Sequence, residues 1–234
     1  MQLFYNSELK KHDKNFNFNK NESRHIIKVL RKNIGDKIFI TNGFGYKFEG
    51  IIKLANQNKC EVSILNVFYV EPKKFKIHLA VAPTKLNERY EWFIEKATEI
   101  GVDIITPIFC NNSERRIIKI ERYQKVLMSA AKQALRMHFP ILKEPKSFNE
   151  FIKSRFDGKS CIAHCQEKPK EKLKDFIFPQ KNILLMIGPE GDFSTEEIKL
   201  AENLGFKSVS LGNSRLRTET AAIIACHTIK LFNE

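Results

Sequence analysis

The sequence predicts two joined architectures, a small β-barrel followed by an α/β domain whose sheet is largely parallel. Three observations predict it. Short β-rich runs separated by Gly and Asn turns dominate residues 1 to about 70. From residue 75 onward, strands alternate with helices. Between the two patterns stands Glu71-Pro72-Lys73-Lys74, a linker in which proline ends ladder pairing and the lysines favour solvent. The expected domains are therefore 1–71 and 75–234. A chain of 234 residues can hold one or two domains and hides about 70% of its unfolded surface.

In the first part, Lys37–Thr41 and residues 46–52 flank Asn42-Gly43-Phe44-Gly45, a turn signal between strands. Residues 60–70 alternate apolar and polar, as a half-buried strand should. One helix, 22–32, interrupts them, with Ile26, Val29 and Leu30 at helical spacing.

The second part predicts strands at 75–82, 103–110, 160–165, 182–187 and 208–211. Helices are expected at 88–100, ending at Gly101, and at 121–137, stopped before Pro140. Ser194-Thr195-Glu196-Glu197 is a capping box, and Thr218 opens a final helix through Ala221, Ile224 and Ile229.

Forty Lys and Arg against 27 Asp and Glu leave a net charge of +13, which draws polyanions and makes nucleic acid the usual partner. A duller source competes: a chain rich in Lys, Asn, Ile and Phe is what AT-rich coding produces. No apolar run approaches the roughly 18 residues of a membrane helix. The opening MQLFYNSELKKHDK lacks a signal-peptide stretch. Five cysteines, Cys60, Cys110, Cys161, Cys165 and Cys226, form neither a CxxC pair nor an even disulfide framework. These features point to the cytoplasm. Cys161, His164 and Cys165 lack the second ligand pair of structural zinc and read better as the end of a buried strand.

The chemistry concentrates near the carboxyl end. In NILLMIGPEGDFSTEE (182–197) a buried strand runs into Gly188-Pro189-Glu190-Gly191 and then a capped helix. Ligands of open α/β sheets settle outside the carboxyl ends of strands, and glycine lets backbone approach them closely. The segment matches neither a P-loop nor GxGxxG. A second strand, ending at Leu211-Gly212, leads through NSRLRTET (213–220) into the final helix. The two loops can form one pocket; equally, each can be a tight turn, and Arg215 and Arg217 can be surface ion pairs.

Together these segments resemble the RsmE family of 16S rRNA (uracil-N3) methyltransferases, of the SPOUT class. Upstream, Lys96-Ala97-Thr98-Glu99-Ile100-Gly101-Val102, Ser113-Glu114-Arg115, and Gln133 with Arg136 and Pro140 are similar to further family motifs. His25, Val29-Leu30-Arg31 and Gly35-Asp36 resemble the family's N-terminal signature, so the likeness spans nearly the whole chain. Two positions depart from it. Asp192 stands where the family usually has a second glycine, and Ser214 replaces an arginine, with Arg215 one step later.

The resemblance implies a PUA-like RNA-binding barrel followed by a SPOUT domain with a C-terminal trefoil knot. It implies S-adenosylmethionine as cofactor, no metal, a homodimer without membrane attachment, and 16S rRNA within the small subunit as substrate. The cofactor would touch Met186, Ile187, Gly188, Pro189, Glu190, Gly191, Leu211, Gly212, Leu216, Arg217 and Thr218. Arg217, Glu219 and Arg136 are the catalytic candidates, with Glu190 also considered. Each has a plainer reading as a helix cap or ion pair. Arg24, His25, Lys28, Arg31 and Arg115 would contact RNA, although His25 can equally cap or pack inside the barrel. Two other activities fit the same residues: a non-catalytic RNA-binding assembly factor, and a SPOUT enzyme acting on another RNA position.

Overall fold

The computed structural model describes residues 2–233, which group into two compact units. One runs through Pro72 and regains Lys132–Phe139; the other holds Lys73–Ala131 and resumes at Pro140.

The first unit carries β1 (Leu3–Tyr5), β2 (Asn15–Asn17), β3 (Lys37–Thr41), β4 (Tyr46–Ala55) and β5 (Cys60–Tyr69), ordered β1-β3-β4-β5-β2. Only the β1–β3 pair is parallel. Ile38, Ile40, Phe48, Ile52 and Val62 point to one core, as the period-two alternation requires. β4 bends at two register shifts, the first between Glu49 and Gly50. A Cβ at Gly50 would lie 2.4 Å from Val62 and 2.8 Å from a backbone oxygen, so the bend needs glycine. The outermost strands approach through side chains: Phe4 of β1 meets Phe18, just beyond β2, edge-on at 5.7 Å.

The expected helix 22–32 is shorter and changes pitch. α1 (Lys20–Arg24), capped by Asn19, passes into a π turn over His25–Val29, where Leu30 N–H donates to His25 O. The wider turn breaks the 3.6-residue phase. Ile26 is fully buried, but Val29, expected inside, is 65% exposed. Arg31 then adopts a left-handed φ of 54° outside the helix.

The second unit has β6 (Ile77–Val81), α2 (Asn87–Ile100), β7 (Ile104–Phe109), α3 (Ile120–Gln133), β8 (Ile141–Leu142), β9 (Lys146–Ser147) and α4 (Phe148–Phe151). It continues with β10 (Lys159–Ala163), β11 (Glu171–Lys172), α5 (Leu173–Phe176), β12 (Ile183–Ile187), α6 (Thr195–Asn203), β13 (Lys207–Ser210) and α7 (Thr218–Leu231). The sheet order is β11-β13-β10-β12-β6-β7-β8, with β9 also on β7, and every pair is parallel. Both faces are covered, which is why β12, ILLMI, is apolar throughout. Ile183, Leu185 and Ile187 pack with residues of α2 and α7; Leu184 and Met186 face α6 and Phe148.

Two expectations fail here. Lys73, read as a solvated linker residue, donates to Asp103 Oδ2 at 2.8 Å and to Gly101 O at 2.7 Å, fastening the start of this unit. α3 ends at Gln133, not at 137, because Leu135 turns left-handed (φ 53°). The chain beyond pairs with the 43–45 turn of the first unit: Gly45 N–H donates to Met137 O and Phe139 N–H to Gly43 O, both at 2.9 Å. Phe139 stacks on Tyr5 with centroids 4.7 Å apart.

Candidate active site

A crevice of about 550 Å³ opens at the carboxyl ends of β10, β12 and β13, within the size range of small-molecule sites. One wall is Ile187 to Glu190 with Asp192, the other Val209 to Thr218. His164, Cys165 and Lys170 complete it.

The loop after β12 is held from four directions. Glu190 Oε1 accepts Lys85 N–H at 2.9 Å from the loop after β6. Asn112, from the loop after β7, donates its amide to Gly191 O (3.0 Å) and Asp192 O (3.1 Å). Asp192 Oδ2 accepts Cys165 N–H at 2.8 Å, beyond β10. At the start of α7, the buried Thr218 hydroxyl donates to Gly188 O at 3.0 Å, so the two glycine loops touch. Close packing explains the glycines: a Cβ on Gly188 would lie 3.0 Å from the Phe193 ring, and one on Gly191 3.0 Å from Asn112. The capping box then starts α6, with Glu197 N–H donating to Ser194 Oγ and Ser194 N–H to Glu197 Oε2.

The facing loop is looser. Gly212 has φ +133° and nothing within 4 Å of where a Cβ would sit, which leaves its backbone open to a ligand. Leu211 and Leu216 are half-buried, while Arg215 and Arg217 are exposed. Arg217 is the N-cap of α7 without a side-chain capping bond, and the Thr218 hydroxyl serves the Gly188 carbonyl instead.

At the third side, Ser208 Oγ donates to Glu202 Oε1 at 2.7 Å, so Nε2 of His164, 3.0 Å away, carries the proton given to Ser208. Burial, and then Lys170, lower the His164 pKa and keep the ring neutral. Lys170 Nζ spans His164 O (2.8 Å) and Gln166 O (2.9 Å). Apolar side chains, open backbone and this volume suit a nucleoside-sized cofactor. Among the described residues, no group of three or more His, Cys, Asp or Glu is arranged to hold a metal ion.

Residues 71–230 match the model of an RNA methyltransferase domain, and residues 18–65 that of an RNA methyltransferase PUA domain. A protein of Buchnera aphidicola (subsp. Acyrthosiphon pisum) named ribosomal RNA small subunit methyltransferase E is 33% identical over 228 residues, 90% of this chain and 85% of its own. The chain belongs to that methyltransferase family. The crystal structure of a probable rRNA-methyltransferase from Porphyromonas gingivalis matches with TM-score 0.92 and 38% identity, over 100% of this chain and 98% of that one. A ribosomal RNA small subunit methyltransferase E from Neisseria gonorrhoeae, bound to S-adenosyl methionine, matches with TM-score 0.86 and 26% identity, over 100% and 98%.

In this methyltransferase the crevice gathers Ile187, Gly188, Pro189, Glu190, Leu211, Gly212, Leu216, Arg217 and Thr218. Met186 does not line it, because strand alternation sends its side chain into the opposite layer, against Phe193 and Ile198. Gly191 faces Asn112 rather than the crevice. Glu219 is buried, with Oε1 3.8 Å from Arg89 Nε and Oε2 lacking a hydrogen-bond partner. Arg136 lies in the segment grouped with the first unit.

Of the expected RNA contacts, Arg24, Lys28 and Arg31 are exposed. His25 is half-buried, edge-on to Phe4 at 6.3 Å, with Nδ1 3.7 Å from Glu22. Arg115 is turned inward onto the carbonyls of Thr84 and Lys85. Sequence reasoning placed Asp192 beside the pocket but missed His164, Cys165 and Lys170 as pocket residues. Their signal was available, since His164 and Cys165 directly follow a strand at the end where ligands collect.

Proposed function

We propose that this protein uses S-adenosylmethionine to methylate ring nitrogen 3 of a uridine in 16S rRNA of the small ribosomal subunit. The observation that carries the reading is the Thr218–Gly188 hydrogen bond, which joins the two glycine loops into one crevice at the strand ends. The family relationship supplies the chemistry. In this reading the second unit is a SPOUT domain whose final segments thread a trefoil knot. The first is a PUA-like barrel that grips RNA through Arg24, Lys28 and Arg31, and the protein works as a cytoplasmic homodimer.

When bound, S-adenosylmethionine supplies an electrophilic methyl group on a sulfonium sulfur. Leu211 and Leu216 would hold the adenosine part through apolar contact, and the open backbone at Gly212 would offer it polar groups. The four-way anchoring of 188–192 fixes the reacting geometry in advance, which is where alignment contributes most to rate. Ring nitrogen 3 must lose its proton, here to solvent water, to expose the lone pair that takes the methyl as the carbon–sulfur bond breaks. Arg217, exposed on the crevice wall, stabilises the resulting anion through the uracil oxygens. Glu219, the second residue of α7, holds Arg89, and Arg136 is the remaining candidate.

The test is methylation of small subunits from a strain lacking this modification, followed by mass analysis of the nucleosides. The expected product is 3-methyluridine. Methyl on ribose or another base moves the protein to a different SPOUT activity, and cofactor-independent RNA binding without product makes it an assembly factor.

A further inference from the structure

Two consecutive arginines outside the crevice converge on it through backbone. Arg115 donates from Nε to Thr84 O at 3.0 Å and from Nη2 to Lys85 O at 2.7 Å. The N–H of that same Lys85 donates to Glu190 Oε1 at 2.9 Å. Arg116 donates from Nη2 to Cys110 O (3.2 Å) and Asn111 O (2.8 Å). Asn111 in turn bonds Glu197 through its N–H (2.9 Å) and Ser194 through its amide (3.1 Å), while neighbouring Asn112 holds Gly191 and Asp192.

We infer that Arg115 and Arg116 are positioning residues for the cofactor, each setting one of the two flanking loops that shape residues 188–194. Arg115 spans two adjacent carbonyls with the planar fork of Nε and Nη2, a geometry a lysine ammonium does not offer, while Arg116 reaches both of its carbonyls from Nη2 alone, at the end of a side chain longer than that of lysine. The basic balance of the chain suggests RNA as the partner of these arginines. Nε and Nη2 of Arg115 and Nη2 of Arg116 turn to backbone instead, and Glu114 beside them pairs with Lys85 Nζ at 2.8 Å. The inference rests on the proposed reading that the crevice takes S-adenosylmethionine.

Arg115→Lys and Arg116→Lys test it, because they keep the charge that RNA would feel while removing the fork of Arg115 and shortening the reach of Arg116. Calorimetry should show the dissociation constant for S-adenosylmethionine raised about tenfold by either change. The KM for S-adenosylmethionine should rise in parallel, with kcat within about twofold, since the interaction acts on binding. RNA affinity and its salt slope should stay at wild-type values. In a Glu190→Ala background, where the link from Lys85 is already cut, Arg115→Lys should add less than about twofold. The inference is overturned by unchanged cofactor affinity in both variants, by a full tenfold effect persisting in the Glu190→Ala background, or by a loss confined to RNA binding. If one variant does not fold, the other addresses an independent loop and carries the same test. A wild-type protein that takes up no S-adenosylmethionine refutes the underlying reading before any variant is measured.

Discussion

Asp192 Oδ2 accepts the backbone N–H of Cys165 at 2.8 Å while residue 192 itself sits at a φ of +62°. The left-handed conformation costs an ordinary L-residue about 1–2 kcal/mol, and Asp is among the few that visit it routinely. Its second oxygen accepts Phe193 N–H at 2.9 Å, so the side chain offsets the strain with two bonds that glycine cannot make. The departure from the family's glycine thus adds a tie between the loops after β10 and β12.

Asp192→Ala keeps the strain and loses both bonds. Urea denaturation should show a loss of about 2 kcal/mol, with weaker uptake of S-adenosylmethionine. Asp192→Gly relieves the backbone and should stay within about 1 kcal/mol of wild type. Equal stability of the two variants would contradict this account.

Thr218→Val removes the hydroxyl that satisfies a buried carbonyl while keeping the shape. It should cost about 1–3 kcal/mol in denaturant titrations and weaken cofactor binding measurably by calorimetry. Thr218→Ser, which retains the donor, should fall close to wild type in both.

His78, on β6, packs edge-on to Phe151 and bonds Thr106 Oγ1 at 2.8 Å. Burial first, and Lys143 second, push its pKa down to about 4. The unfolded value is about 6.5, so the folded state resists protonation. Its contribution to stability is intact above about pH 6.5, declines as pH falls toward about 4, and levels off below, for a total on the order of 3 kcal/mol. The difference between wild type and His78→Gln, followed by urea melts across that window, should show this slope.

Arg217→Ala removes the exposed guanidinium proposed to face the uracil anion. At saturating S-adenosylmethionine, turnover should drop by about 10²-fold or more. Calorimetric cofactor affinity should change by less than about fivefold. A large affinity loss with unchanged turnover would assign Arg217 to the cofactor alone.

Much of this was legible in the sequence where one signal acted alone. β12 is apolar throughout because both its faces are covered, and the box at Ser194 and Glu197 forms as its spacing dictates. Legibility ended where distant backbone decided. The helix through Gln133 could not be read as stopping short, because pairing of Met137 and Phe139 with the 43–45 turn takes the chain away. Val29 kept helical spacing while a π turn rotated it outward. Within the site, the loops were visible as motifs, but the ties from Lys85, Asn112 and Cys165 arise from residues far away in the chain. Arg115, read as an RNA contact, had no local sign that two carbonyls would claim it.

The pairing of β6 with β12 also has a kinetic consequence. Lys76 N–H already reaches Asn182, 106 positions along the chain, and the ladder from Ile77 to Val81 follows from there. A strand that lies mid-sheet must therefore wait, during synthesis, for a neighbour made much later. Until then its isoleucine and leucine side chains have only provisional cover, and closing so wide a loop slows folding. The protein should accordingly mature slowly and lean on chaperones in proportion to temperature, whatever the final strength of its crevice.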